Sequence, residues 1–191
     1  MIEPLTLSIH ESSYVEEVTH FVSKTYAASG RMEFDDYRKF CTYMEKEDKR
    51  LAKASTIVTG RDSKGKLLST ARAIIRTDSD TNQLPIEQVF GYRFLLPDTC
   101  RLMEISRLAS VAGGRFNLTQ SMLTALCVHC APDPTKDVIV ACLDNALYER
   151  LCDIGWPVRC FGDSLFYMGS ETVPVRVDIR AFQNIVRAGG K

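Results

Sequence analysis

The segment 101–115, RLMEISRLASVAGGR, places Glu104 and Arg107 inside a run that otherwise has the composition of a buried strand. A carboxylate in such a place could serve as a general base, and a guanidinium could orient a substrate or balance charge. Leaving either group buried and unpaired costs about 3–5 kcal/mol, a large part of a domain's net stability, so both need partners. On a regular strand Glu104 shares a face with Ser106 and Leu108, whereas Arg107 shares the other with Ile105 and Ala109. Either a β-bulge brings the two charges to one side, or each has its own partner on its own face. Arg72, mid-strand in LLSTARAIIRT, is expected to be a second buried cation, and Glu33, Asp35, Asp36 and Glu87 are the candidate acids. These residue types fit an internal salt-bridge lattice and an active site equally, and the pattern alone leaves both open.

Gly113, Gly114 and Arg115 follow directly in AGGRFNLTQ, between the strand and a helix. Amides at a helix N-terminus can hold a phosphate or carboxylate there, with Arg115 assisting. The spacing matches neither a Walker loop nor a complete G-x-G-x-x-G, so a plain tight turn is the alternative. Cys127, His129 and Cys130 in CVHC look metal-like, but no second ligand pair follows at a zinc-site spacing, and no metal is expected. His129 reads as a core or rim histidine.

The elements that must position these residues are legible from periodicity. PLTLSIH alternates as a short strand, and Tyr14, Val18, Phe21, Val22 and Tyr26 then recur at helical spacing before Gly30. A second helix over EFDDYRKFCTYMEKEDKRLAKAS carries Phe34, Tyr37, Phe40, Cys41, Met44 and Leu51 partly on one stripe, with its charges read as a solvated face. STIVTGRDSKGKLLSTARAIIRT is a hairpin turning at Asp62-Ser63-Lys64-Gly65. QLPIEQVFGY is read as a connection. NLTQSMLTALCVHCA is a helix and DVIVACL a central strand. DNALYERLCDIG is a helix begun by Asp144 or Asn145 and ended by Gly155. WPVRCFG, SLFYMG and TVPVRVDI add strands, and RAFQNIVRAGG a closing helix. The order β-α-α-β-β-β-α-β-α-β-β-β predicts a mixed α/β (α+β) domain, one mixed sheet with helices on both faces.

The 191 residues suit a single domain over 1–191, without repeats or linkers. Lys plus Arg and Asp plus Glu are both 24, so bulk charge offers no attraction to nucleic acid or an acidic membrane, and an anionic partner needs a local patch. No apolar run approaches the ~20 residues of a membrane span, and the N-terminus lacks the build of a signal peptide. A cytoplasmic location is therefore expected, with the seven cysteines as reduced thiols.

STARAIIRT, LPIEQVF, CRLMEISRLAS and ERLCDIGWPVRCFG, in that order, resemble the segments of acyl-homoserine lactone (autoinducer) synthases. The chain is still more similar to the related bacterial long-chain N-acyl amino acid synthases, in which an E-x-S-R-L strand and a late VPVRVDI-like strand also occur; the resemblance runs from Leu67 to Ile179. It implies the GNAT acyltransferase fold, with the sheet splayed between strands 4 and 5. It implies a long-chain acyl thioester on acyl carrier protein as donor substrate, an amino acid amine as acceptor and no bound cofactor. Glu104 then falls on the general base, with Arg72 and Arg107 orienting and balancing charge, and backbone amides near Leu108, Ala109 and Ser110 stabilising the oxyanion. The Q/R-x-x-G-x-G/A loop of coenzyme A-dependent acetyltransferases is absent, and Leu151 stands where they often carry a tyrosine. The Arg-, Phe- and Trp-rich opening of the lactone synthases is poorly matched, since Trp156 is the only tryptophan. An acyl chain of roughly twelve carbons would gain on the order of 9 kcal/mol from burial before entropic costs. Phe90, Phe94, Leu123, Leu126 and Phe166 are the residues read as a tunnel or as ordinary core. Arg115, Arg150 and Arg159 are candidates for a carrier-docking patch.

Overall fold

The computed structural model of the chain describes residues 6–28, 36–77, 82–97, 99–111 and 116–187. Its elements are β1 (Thr6–Glu11), α1 (Glu16–Ala28), α2 (Tyr37–Leu51), a 3-10 turn (Ala52–Ala54), β2 (Ser55–Arg61), β3 (Leu67–Thr77), α3 (Pro85–Phe90), β4 (Arg101–Ser110), α4 (Phe116–Cys130), β5 (Val138–Asp144), α5 (Asn145–Asp153), β6 (Val158–Cys160), β7 (Leu165–Tyr167), β8 (Ser170–Val177) and α6 (Ile179–Arg187). The strands hydrogen-bond in the order β1-β2-β3-β4-β5-β8-β6, with β7 beside β8. β4 and β5 run parallel, and β5, β6 and β7 each meet β8 antiparallel. The parallel pairing covers only Leu102–Ile105 against Val138–Ala141, although β4 continues to Ser110 and β5 to Asp144. The expected parting of the fourth and fifth strands is thus present.

The chain forms two compact units, Met1–Ile74 with Ser106–Cys130, and Ile75–Ile105 with Ala131–Lys191. In the first, the β2–β3 hairpin closes as expected: Asp62 Oδ1 accepts the amides of Lys64 at 3.0 Å and Lys66 at 2.8 Å, and Gly65 takes the left-handed φ of 80°. α2 begins at Asp36, whose carboxylate accepts the Arg38 amide at 2.8 Å. Its buried stripe is Phe40, Met44, Glu47, Asp48 and Leu51.

The second unit holds a helix that the sequence reading left as a connection. α3 starts with Pro85, whose missing N–H costs nothing there, and stops at Gly91 with φ 68°. α5 begins where Asp144 accepts the Leu147 amide at 3.1 Å and ends before Gly155, φ 75°. Around the chain after α3, Tyr92 stacks on Phe90 with centroids 5.7 Å apart and meets Phe161 at 5.6 Å, while Phe94 meets Phe161 edge-on at 5.9 Å. The cluster closes over Gly162, where an added Cβ would overlap the Tyr92 hydroxyl and stand 3.3 Å from Pro174 Cγ. Tyr92 has little room to yield between its aromatic neighbours. Gly162→Ala is therefore expected to cost roughly 1–3 kcal/mol of stability, partly restored by Tyr92→Phe, in a thermal-unfolding double-mutant cycle. No helix among the described residues is long and apolar enough to cross a membrane.

Candidate active site

β4 does not alternate regularly. Arg107 has a φ of 52°, a left-handed conformation that costs a non-glycine residue about 1–3 kcal/mol and persists where the surroundings enforce it. Its neighbours supply the reason. Ser106 Oγ accepts Arg72 Nε at 3.0 Å, and Asp48 Oδ1 accepts both Arg72 Nη1 at 2.6 Å and Arg107 Nε at 2.8 Å. Two successive residues of one strand thus reach one cluster, which regular pleating forbids.

The cluster is a closed lattice inside the first unit. Arg107 Nη2 also donates to Glu47 Oε2, Arg72 Nη2 lies 3.9 Å from the same oxygen, and Thr19 Oγ1 donates to Asp48 Oδ2 at 2.8 Å. Two guanidinia face two carboxylates, and all four side chains are buried. Burial pushes the Asp48 carboxyl upward, but Arg107 and Arg72 outweigh it and hold the group below its ordinary value. Burial likewise opposes the charge on Arg107, and Asp48 and Glu47 more than compensate. A small crevice of about 10 Å³, room for about one water, is lined by Tyr14, Ile57, Asp48, Arg72 and Arg107.

The acids in the lattice are not those the sequence suggested. Glu33 and Asp35 lie outside the described residues, Asp36 caps α2, and Glu87 serves another arginine. Glu47 and Asp48 were read with the solvated face of α2. Their positions, seven and eight residues after Phe40 and four and three before Leu51, are in phase with the apolar stripe, and that periodicity was the available signal.

Glu104 is held in the second unit. It is 1% exposed, and its Oε2 accepts the Ile86 amide at 3.1 Å. Ile86 is fixed by a buried clamp at the start of α3. Arg76 Nη1 donates to Glu87 Oε2 at 2.5 Å and Arg76 Nη2 to the Phe94 carbonyl at 2.9 Å; Glu87 also accepts the amides of Leu84 at 3.0 Å and Phe94 at 2.8 Å. The structure therefore brings Arg72 and Arg107 together through shared acids and gives Glu104 its own partner. Of the two alternatives, Glu104 and Arg107 follow the second: each has its own partners.

Of the remaining predicted residues, Ala109 is buried, and Leu108 and Ser110 are half-buried on β4 past the kink. The Ser110 hydroxyl lies 3.5 Å from Thr119 Oγ1, and the next amide, Val111, is already spent on the Leu68 carbonyl at 2.9 Å. Phe90 belongs to the aromatic cluster. Leu123 and Leu126 are core residues, while Phe166 is 71% exposed. Gly113, Gly114 and Arg115 lie outside the described residues. His129 Nε2 meets Glu11 at 2.6 Å, tying α4 to β1, and burial pushes the Cys127 thiol up to about 12, which keeps it a neutral packing group. All seven cysteines are free thiols.

The mixed sheet, whose parallel fourth and fifth strands pair over four residues, has a GNAT-like fold. Solved structures agree with this assignment. The acyl-homoserine lactone synthase LasI superposes with a TM-score of 0.62 at 13% identity, covering 93% of this chain and 91% of its own. FeeM, an N-acyl amino acid synthase from uncultured soil microbes, gives 0.61 at 14% identity over 95% of this chain and 94% of its own. A GNAT-family acetyltransferase from Staphylococcus aureus gives 0.59 at 10% identity over 92% of this chain and 99% of its own. No protein-family model matches the chain, and no curated protein matches it in sequence.

Proposed function

We propose that this protein is an N-acyltransferase acting as one domain over 1–191, moving a long-chain fatty acyl group from the thioester of acyl carrier protein to the amine of an amino acid. The observation that carries the reading is Glu104, a carboxylate 1% exposed within the stretch of β4 paired to β5, one residue before that pairing ends. Buried and aimed by an amide, it is suited to take a proton from an ammonium group directly or through one water. The freed amine attacks the thioester carbonyl. A C–N bond forms, the C–S bond breaks, and the carrier's thiol leaves with a proton. Amides around Leu108, Ala109 and Ser110 stabilise the oxyanion. Arg72 and Arg107, committed to Glu47 and Asp48, are positioning residues that hold the kinked strand. The likeness to FeeM and to LasI supports acyl transfer as the reaction class. Acyl carrier protein and the amino acid are the partners, with no resident cofactor, in the bacterial cytoplasm.

The test is mass spectrometry of products after incubation with long-chain acyl carrier protein or the matching acyl-coenzyme A, an amino acid pool and S-adenosylmethionine. An N-acyl amino acid formed from the carrier-protein donor is expected. A lactone product would instead make the protein an autoinducer synthase, and tight acyl binding without transfer would make it a binding module.

A further inference from the structure

We infer that Arg159, Arg176 and Arg180 form a binding site for a multivalent oxyanion of the phosphate class. The site lies in the second unit, in an open concavity of about 340 Å³ that these three line together with Pro134, Asp137 and Asp178. Arg159 on β6 stands directly opposite Arg176 on β8 in an antiparallel pair. Both are solvent-exposed, and like charges in that position repel, a repulsion that a bound anion would relieve. Arg180 adds a third cation from the first turn of α6.

Neither of the two acids that line the concavity forms an ion pair with these arginines. Asp137 is taken by Arg101, at 2.5 Å to Nη2, and by the amides of Arg101 and Asp133. Asp178 accepts the Ala181 amide at 3.1 Å as the cap of α6. Among the described residues none of the three arginines makes a salt bridge. The concavity falls in the ordinary size range of small-molecule sites. A single carboxylate can occupy one guanidinium fork, whereas a di- or trivalent phosphate can pair with more than one. Neither Glu104 nor the Arg72–Arg107 lattice lines this pocket, so the inference is independent of the acyl-transfer reading.

Pyrophosphate is the probe, titrated calorimetrically into the full chain at low and high salt. One saturable site is expected, weakened at least 10-fold by Arg176→Ala and by Arg159→Ala and unchanged by Arg38→Ala on α2. Ligand-free Arg176→Gln should melt no lower than the wild-type protein, which separates lost binding from lost fold. Non-saturating binding, or equal affinity in all variants, would overturn the site. So would variants that weaken association with acyl carrier protein while pyrophosphate binding is absent, since the patch would then be a protein-docking surface.

Discussion

Glu104→Gln is expected to leave the protein folded and to slow acyl transfer at neutral pH by about 100-fold or more, the usual scale for a lost general base. The substitution preserves shape. A glutamine carbonyl can still accept the Ile86 amide that Glu104 Oε2 accepts at 3.1 Å, so α3 keeps its anchor on β4. What disappears is the capacity to hold a proton taken from an ammonium group. Single-turnover transfer, measured beside a thermal melt of the same preparation, separates the two effects. Wild-type rates in the variant would remove Glu104 from the mechanism. A collapse in melting temperature would instead assign the carboxylate a structural role.

Asp48→Asn should produce the largest loss of stability, about 3–5 kcal/mol, because it breaks a buried lattice on one side only. Asp48 Oδ1 accepts from both Arg72 and Arg107, and Oδ2 accepts Thr19 Oγ1. The asparagine would leave two buried guanidinia to Glu47 alone. The same residue sets a pH dependence. Its folded carboxyl is held below the ordinary value despite burial, because Arg107 and Arg72 favour the ionised form. Its contribution is therefore fully present above the unfolded carboxyl's value, about 3.9, and is lost as pH falls through the lower folded one. Denaturant unfolding followed from about pH 7 to about pH 3 should show a steep acid loss in the wild-type protein, with part of that loss missing in Asp48→Asn. Parallel curves would show that the lattice is not what acid disrupts.

Most elements were legible because each announces its period: the alternation of β1, the hairpin turn at Asp62–Gly65, the apolar run of β5, and the caps of α5. The short α3 was hidden because six residues carry less than two turns of pattern, though Pro85 and Glu87 marked its start. Glu104, Arg72 and Arg107 stood out as charges in apolar strands. Their partners did not, since acids on a helix look solvated unless their phase is compared with the buried stripe, and Glu47 and Asp48 share that phase. Arg76 was similarly overlooked near the end of β3, although it forms the clamp that fixes α3. A left-handed arginine at position 107 is invisible to any pattern, because tertiary pairing imposes it.

The most direct test follows the thioester itself. Free carrier thiol and amide product are quantified together over time, with and without the amino acid acceptor. The account predicts that thiol release requires the acceptor and is matched one-for-one by new amide. Thiol release without amide, or acceptor-independent release, would identify hydrolysis and contradict acyl transfer to an amine.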